Sequence, residues 1–115
     1  MLKKTFGVLL LSCLFFGCSS VAHLKTDDEP NVTFQPNIAS NIKVYSTTKS
    51  AKNYQIIGQV IANADAGSDS EKAVDLLKEE AAKLGANAIF NLRLEIDSGE
   101  WNNAIKATGL AVKYN

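Results

Sequence analysis

The chain has 115 residues, 46% of them hydrophobic and 21% charged, which is room for one domain and leaves about 75 residues for its core once a leader and a linker are set aside. Twelve Lys and Arg balance twelve Asp and Glu, and removal of Lys3 and Lys4 with a leader leaves ten against twelve, a mildly acidic balance that argues against a nucleic-acid surface. Both cysteines, Cys13 and Cys18, lie at the N-terminus, so the remainder of the chain can form no disulfide, no thiolate nucleophile and no cysteine metal site.

Met1 to Lys4 form a short positive segment, and Phe6 to Phe16 an eleven-residue apolar stretch broken by Gly7, Ser12 and Cys13. That is signal-peptide length, short of the roughly 20 residues that cross a bilayer as a helix. Polar sequence, SSVAHLKTDDEPN, follows at once. An apolar run ending in a small residue and then cysteine resembles the bacterial lipoprotein signal, in which that cysteine is acylated and becomes the first mature residue. Cys18, preceded by FFG, leaves polar sequence behind it and is the favoured lipid-attachment point. Cys13, preceded by LLS, competes, but cleavage there exposes LFFG and shortens the apolar run to about six residues. Phe15 stands where the lipoprotein pattern prefers leucine, and a plain secretory signal with incidental cysteines is the alternative. Acylation would anchor the chain, since each buried CH₂ contributes about 0.8 kcal/mol and two acyl chains hold a protein stably in one leaflet. Ser19 is the sorting residue; in enteric-type bacteria an aspartate at that place marks retention, so the resemblance implies export to the outer membrane.

Residues 19–41 show no sustained period and carry Pro30, Pro36 and the acidic triplet Asp27 to Glu29, so 18–41 reads as a lipidated cysteine and flexible tether after a signal peptide at 1–17. His23, with no second ligand near it in sequence, reads as a solvated side chain. From Ile42 to Asn115 the pattern is that of a folded domain. IKVYS alternates as a short strand, and YQIIGQVIAN (54–63) is a second, with Gly58 marking a bulge or a close backbone approach. The polar loop TTKSAKN between them predicts an antiparallel hairpin or near neighbours.

ADAGSDSEKAVDLLKEEAAKLGAN contains one helix. Ser68 with Glu71 fits a capping box, Val74, Leu77, Ala81 and Leu84 make an apolar stripe, and Gly85 supplies a left-handed stop. Glu79 and Lys83 are spaced as an exposed pair, and the acidic residues are assigned to the solvated face. In the next strand Ala88, Phe90, Leu92, Leu94 and Ile96 alternate with Ile89, Asn91, Arg93, Glu95 and Asp97. SGEWNN turns the chain and AIKATGLAVKYN returns, with the small residues Ala107, Gly109 and Ala111 on one face, where the helix or a second subunit packs closely. The predicted fold is α+β in the order ββαββ, one amphipathic helix on a mainly antiparallel four-stranded sheet.

LGANAIFNLRLEIDSG followed by TGLAV resembles the closing strands of the YbjQ-type family, which is named for heavy-metal binding, and VYSTT and IIGQV are similar to its first two strands. The RcsF family of envelope-stress lipoproteins shares the layout of lipidated cysteine, proline-containing tether and closing strands. RcsF-type domains carry disulfide cysteines that residues 42–115 lack, so a thiol-dependent control does not carry over. Soft metal ligands are lacking too, and carboxylates such as Asp65 and Asp69 read as loop and cap residues, so no metal and no other cofactor is assigned.

Three function classes follow. The first is a lipid-anchored, non-catalytic sensor or interaction module, its domain in the periplasm or displayed at the surface, docking envelope or outer-membrane proteins in RcsF-like stress signalling. The second is an oligomeric YbjQ-like scaffold or small-ligand or metal binder. An enzyme is disfavoured because residues 42–115 hold no histidine and no cysteine, and the serines and carboxylates sit at caps and turns. Trp101 and Tyr114 read as core or turn-packing aromatics, with a contact role as the alternative.

Overall fold

β-Branched and aromatic residues concentrate in three long stretches, and these become the frame of the molecule. In the computed structural model, which describes residues 19–64, 69–98 and 103–115, the long strands are β3 (Tyr54–Ala64), β4 (Ala88–Ser98) and β5 (Asn103–Tyr114). Two short strands, β1 (Ser20–Leu24) and β2 (Lys43–Val44), flank them, and one helix, α1 (Ser70–Leu84), covers one face. The sheet order is β1-β3-β5-β4-β2. β1 with β3, β3 with β5 and β4 with β5 are antiparallel, whereas β2 with β4 is parallel. The architecture is α+β with a single α-helix, as the sequence implies, but the sheet is mixed and five-stranded rather than four-stranded and mainly antiparallel.

Two expectations change with it. The IKVYS segment contributes only Lys43–Val44 and forms no hairpin with β3, from which β4 and β5 separate it. The polar loop that followed it bridges three strand spacings, about 14 Å, well within the reach of nine residues. The described part of the expected tether is also docked. Ser20 to Leu24 pair with Asn63 to Gln59 along the edge of β3, because that strand's outer backbone groups would otherwise lack partners.

Gly58 marks both features expected of it. The β3–β5 register slips between Ile56 and Gly58, and a Cβ there would lie 3.2 Å from Leu84 Cδ1. A second slip lies in β4 between Phe90 and Arg93, where Asn91 adopts φ 57°. This bulge corrects the simple alternation read from the sequence. Ile89 and Leu92 both join the core beneath the helix, while Ala88 and Phe90 cluster with Val112 on the opposite face.

The helix begins one residue later than the capping box predicts. Asp69 is the N-cap, its side chain accepting from the Lys72 backbone N–H at 2.9 Å, and Ser68 lies outside the described residues. Ala73, Leu77 and Ala81 are fully buried, whereas Val74 is only half-buried. They settle on Ala107, Gly109 and Ala111, so the row of small residues receives the helix. A Cβ on Gly109 would touch Leu77 Cδ2 at 3.6 Å and collide with Ile89 Cγ2. Burying Leu77, Ile57, Val60 and Ile89 contributes roughly 1.5–3 kcal/mol for each side chain. Lys83 leans toward Glu80, at 3.7 Å, instead of forming the Glu79 pair.

Gly85 ends the helix at φ 87°, and its N–H caps the last turn. The chain before β2 wraps this end as a strap. The Asn37 N–H donates to Ala82 O at 2.8 Å, its side-chain amide donates to Ala86 O at 3.0 Å, and Phe34 packs against the core. A Cβ on Gly85 would lie 2.6 Å from Phe34 Cβ and 2.7 Å from Gln35 O. Gly85→Ala is therefore expected to lower stability by about 2–4 kcal/mol, from left-handed strain together with overpacking. Urea unfolding measures this, and an unshifted midpoint would contradict the strap's tight seating.

Candidate functional site

The bulge at Asn91 turns Phe90 onto the sheet face away from the helix, where it is 1% exposed. Three tyrosines surround it. Tyr45 and Tyr54 meet its ring edge-to-face at centroid distances of 5.5 and 4.7 Å, and Tyr114 lies at 6.4 Å. Such pairs contribute about 0.5–1.5 kcal/mol each beyond their burial. Tyr54 Oη donates to Thr48 O at 2.8 Å, and the Asn91 N–H donates to Thr47 O at 3.1 Å, so the loop after β2 is fastened to the sheet end. Backbone bonds from Tyr45 N–H to Ile89 O and from Leu92 N–H to Tyr45 O hold its first residue.

Between this loop and the strap opens a cleft of about 610 Å³ with Phe90 at its floor. Lys43, Lys49 and Lys52 line it together with Tyr45, Tyr114 and Asn41. Among the described residues no carboxylate does so. Lys52 Nζ sits 4.9 Å from the centre of the Tyr114 ring, a cation–π contact. Partial burial, and then the neighbouring Tyr45 through its charge and hydrogen bond, push the Tyr114 hydroxyl above the ordinary tyrosine range. Its backbone N–H donates to Asn87 Oδ1 at 2.9 Å, which fixes the strand end at the cleft wall. The arrangement supplies cations, a ring wall and hydroxyls, which is the chemistry of holding an anion.

The residues singled out in the sequence fall elsewhere or gain other roles. Cys18, Asp65 and Trp101 lie outside the described residues. Ser19 is exposed and directly precedes β1, Asp69 caps the helix, and Tyr114 lines the cleft. His23 is not a free solvated side chain. Its Nδ1 lies 2.7 Å from Glu80 Oε1, and the two side chains are 46% and 8% exposed. Glu80, assigned by pattern to the solvated face, is thus buried under β1. The cleft lysines were not singled out, although the sequence carried a signal for them. Residues 30–64 contain Lys43, Lys49 and Lys52 and not one Asp or Glu.

Residues 63–115, just under half of the chain, match the family model described as "Putative heavy-metal-binding", YbjQ_1. Among solved structures the chain is similar to a Francisella virulence factor, FvfA, in its orthorhombic crystal form. That similarity runs at 19% identity with a TM-score of 0.61, over 81% of this chain and 96% of the other, and it concerns the fold. No curated protein matches the chain. The metal named in the family description does not fit the residues present. Residues 63–115 hold no histidine and no cysteine, and among the described residues no three His, Cys, Asp or Glu side chains come together as ligands.

The His23–Glu80 pair instead joins β1 to the helix. With the imidazole removed, a buried carboxylate loses its nearest donor, a loss of about 1–3 kcal/mol. His23→Ala is expected to lower the unfolding midpoint accordingly, and combining it with Glu80→Leu to recover part of the loss. Equal stability of wild type and His23→Ala in urea titrations would show that the contact contributes nothing.

Proposed function

We propose that the chain is a lipid-anchored, non-catalytic binding module of the bacterial envelope, held at the outer membrane through Cys18 and presenting its cleft to a ligand. The observation that carries this reading is the placement of the two ends of the sheet. Ser20 pairs with Asn63, Ala64 with Ile105 and Ser98 with Asn103, so the start of β1 shares one end with the β4–β5 connection. Tyr54 and Tyr114 pair at the other end, beside the cleft, about 30 Å away along the eleven residues of β3. A lipid on Cys18 would have only Ser19 between it and β1, so acylation would draw the Ser20 end onto the bilayer and leave the cleft facing away. No helix among the described residues is long and apolar enough to cross a membrane.

The lipoprotein-like leader read from the sequence is what motivates an RcsF-like role in stress signalling, through ligand or partner binding and without the thiol control. An oligomeric YbjQ-like scaffold is the alternative, and because α1 occupies the small-residue face of β5, assembly would use another surface. A small-ligand binder remains part of the reading through the cleft.

Metabolic palmitate labelling is expected to mark the full chain and to vanish in Cys18→Ser. An unmarked wild type, or label that persists in the variant, would remove the anchor. Ser19→Asp is expected to move the protein into inner-membrane fractions, and unchanged fractionation would contradict the sorting assignment.

A further inference from the structure

We infer that the cleft binds a phosphomonoester carried on a cyclic body, its phosphate among Lys43, Lys49 and Lys52 and its ring against Tyr45. This deepens the binding-module reading but does not rest on the lipid. Three lysines line a cleft that has no carboxylate among its described lining residues, in a chain whose twelve Lys and Arg only equal its twelve Asp and Glu. The segregation is written into the sequence, since residues 30–64 supply these three cations and no acid. Like charges gathered without neutralising partners raise the local potential for an anion.

The choice among anions follows from the donor type. Lysine ammoniums are compact point charges on flexible stems that act through charge rather than fork geometry, so they hold a dianionic phosphate more strongly than a singly charged carboxylate. No arginine lines the cleft, and Arg93 is turned to the backbone, its guanidinium donating to Ser46 O at 3.3 Å. Lys52 rests on the Tyr114 ring, a weak hold from which a phosphate can draw it.

The volume, about 610 Å³, is in the range of clefts for small organic ligands and exceeds what a lone phosphate fills. Tyr45, 40% exposed above the buried Phe90, offers an apolar wall that the aromatic cluster already holds in place. A ring lying on that wall would displace water from an apolar surface while the phosphate stays in reach of the lysines.

Calorimetric titration of the detergent-solubilised full chain tests this with glucose 6-phosphate, phenyl phosphate, inorganic phosphate, glucose, and vesicles with and without phosphatidic acid. Both phosphomonoesters are expected to bind, with inorganic phosphate weaker and glucose silent, and the affinity should fall as salt rises. Lys49→Gln with Lys52→Gln should weaken the esters about ten-fold, and Tyr45→Ala should weaken the esters while leaving inorganic phosphate unchanged. Lys49 and Lys52 are exposed, so an unchanged unfolding midpoint certifies the lysine variant, while Tyr45→Ala loses its edge-to-face contact with Phe90 and is certified by a cooperative unfolding transition well above the assay temperature. Binding of the soluble esters assigns a free ligand, whereas binding of phosphatidic acid vesicles alone overturns the inference, because that headgroup carries a phosphomonoester and no ring. Silence with every phosphate probe, or ester binding untouched by the lysine substitutions, overturns the inference while leaving palmitate labelling to decide the anchor on its own.

Discussion

The close seating of α1 on β5 is the contact from which the other features follow. Gly109 and its alanine neighbours let Leu77 descend onto the sheet, and that depth sets the height of the whole helix. The height brings the last turn of the helix to where Ala82 O can accept from the Asn37 N–H and where Gly85 can admit Phe34. The strap so fixed delivers Asn41 and Lys43 to one wall of the cleft. A bulkier residue at Gly109 would therefore be felt at the opposite end of this sequence of contacts, through packing alone.

Two irregularities let a small sheet have two useful faces. Without the slip at Asn91, strict alternation would send Ile89 and Phe90 to faces that mismatch their neighbours in β5 or leave Leu92 off the core. With it, aliphatic side chains gather under the helix and aromatic ones on the reverse, where edge-to-face contacts give a rigid platform. The Tyr54 hydroxyl at its margin then helps backbone bonds to β4 fasten the loop that follows Val44.

Local signals were legible and long-range ones were not. The helix, its glycine stop, the three long strands and the bulge at Gly58 were all readable, because each rests on periodicity or on a conformation that one residue type adopts readily. Strand order was not, since pairing β2 in parallel beside β4 depends on where a polar loop travels rather than on any pattern within it. Ser20 to Leu24 escaped notice because an edge strand exposed along its length shows no apolar alternation. The burial of Glu80 was invisible for a related reason, as its partner His23 is 57 residues away in sequence. Cations shared between a strand and the loop after it have no periodic signature, and only the missing acids of residues 30–64 hinted that they line one cleft.

The brevity of β2 bears on how the molecule avoids sticking to others of its kind. It pairs with Ala88 and Ile89, and the loop after it adds backbone bonds only as far as Leu92, so the rest of the eleven-residue β4 forms a margin of the sheet. A long margin of that sort is a template for illegitimate strand addition. The kink at Asn91 and the alternating charges Arg93 and Glu95 spoil the flat geometry such addition needs, and the guanidinium laid across Ser46 O occupies part of the approach. The irregularity that builds the aromatic platform thus also guards the flank against polymerisation.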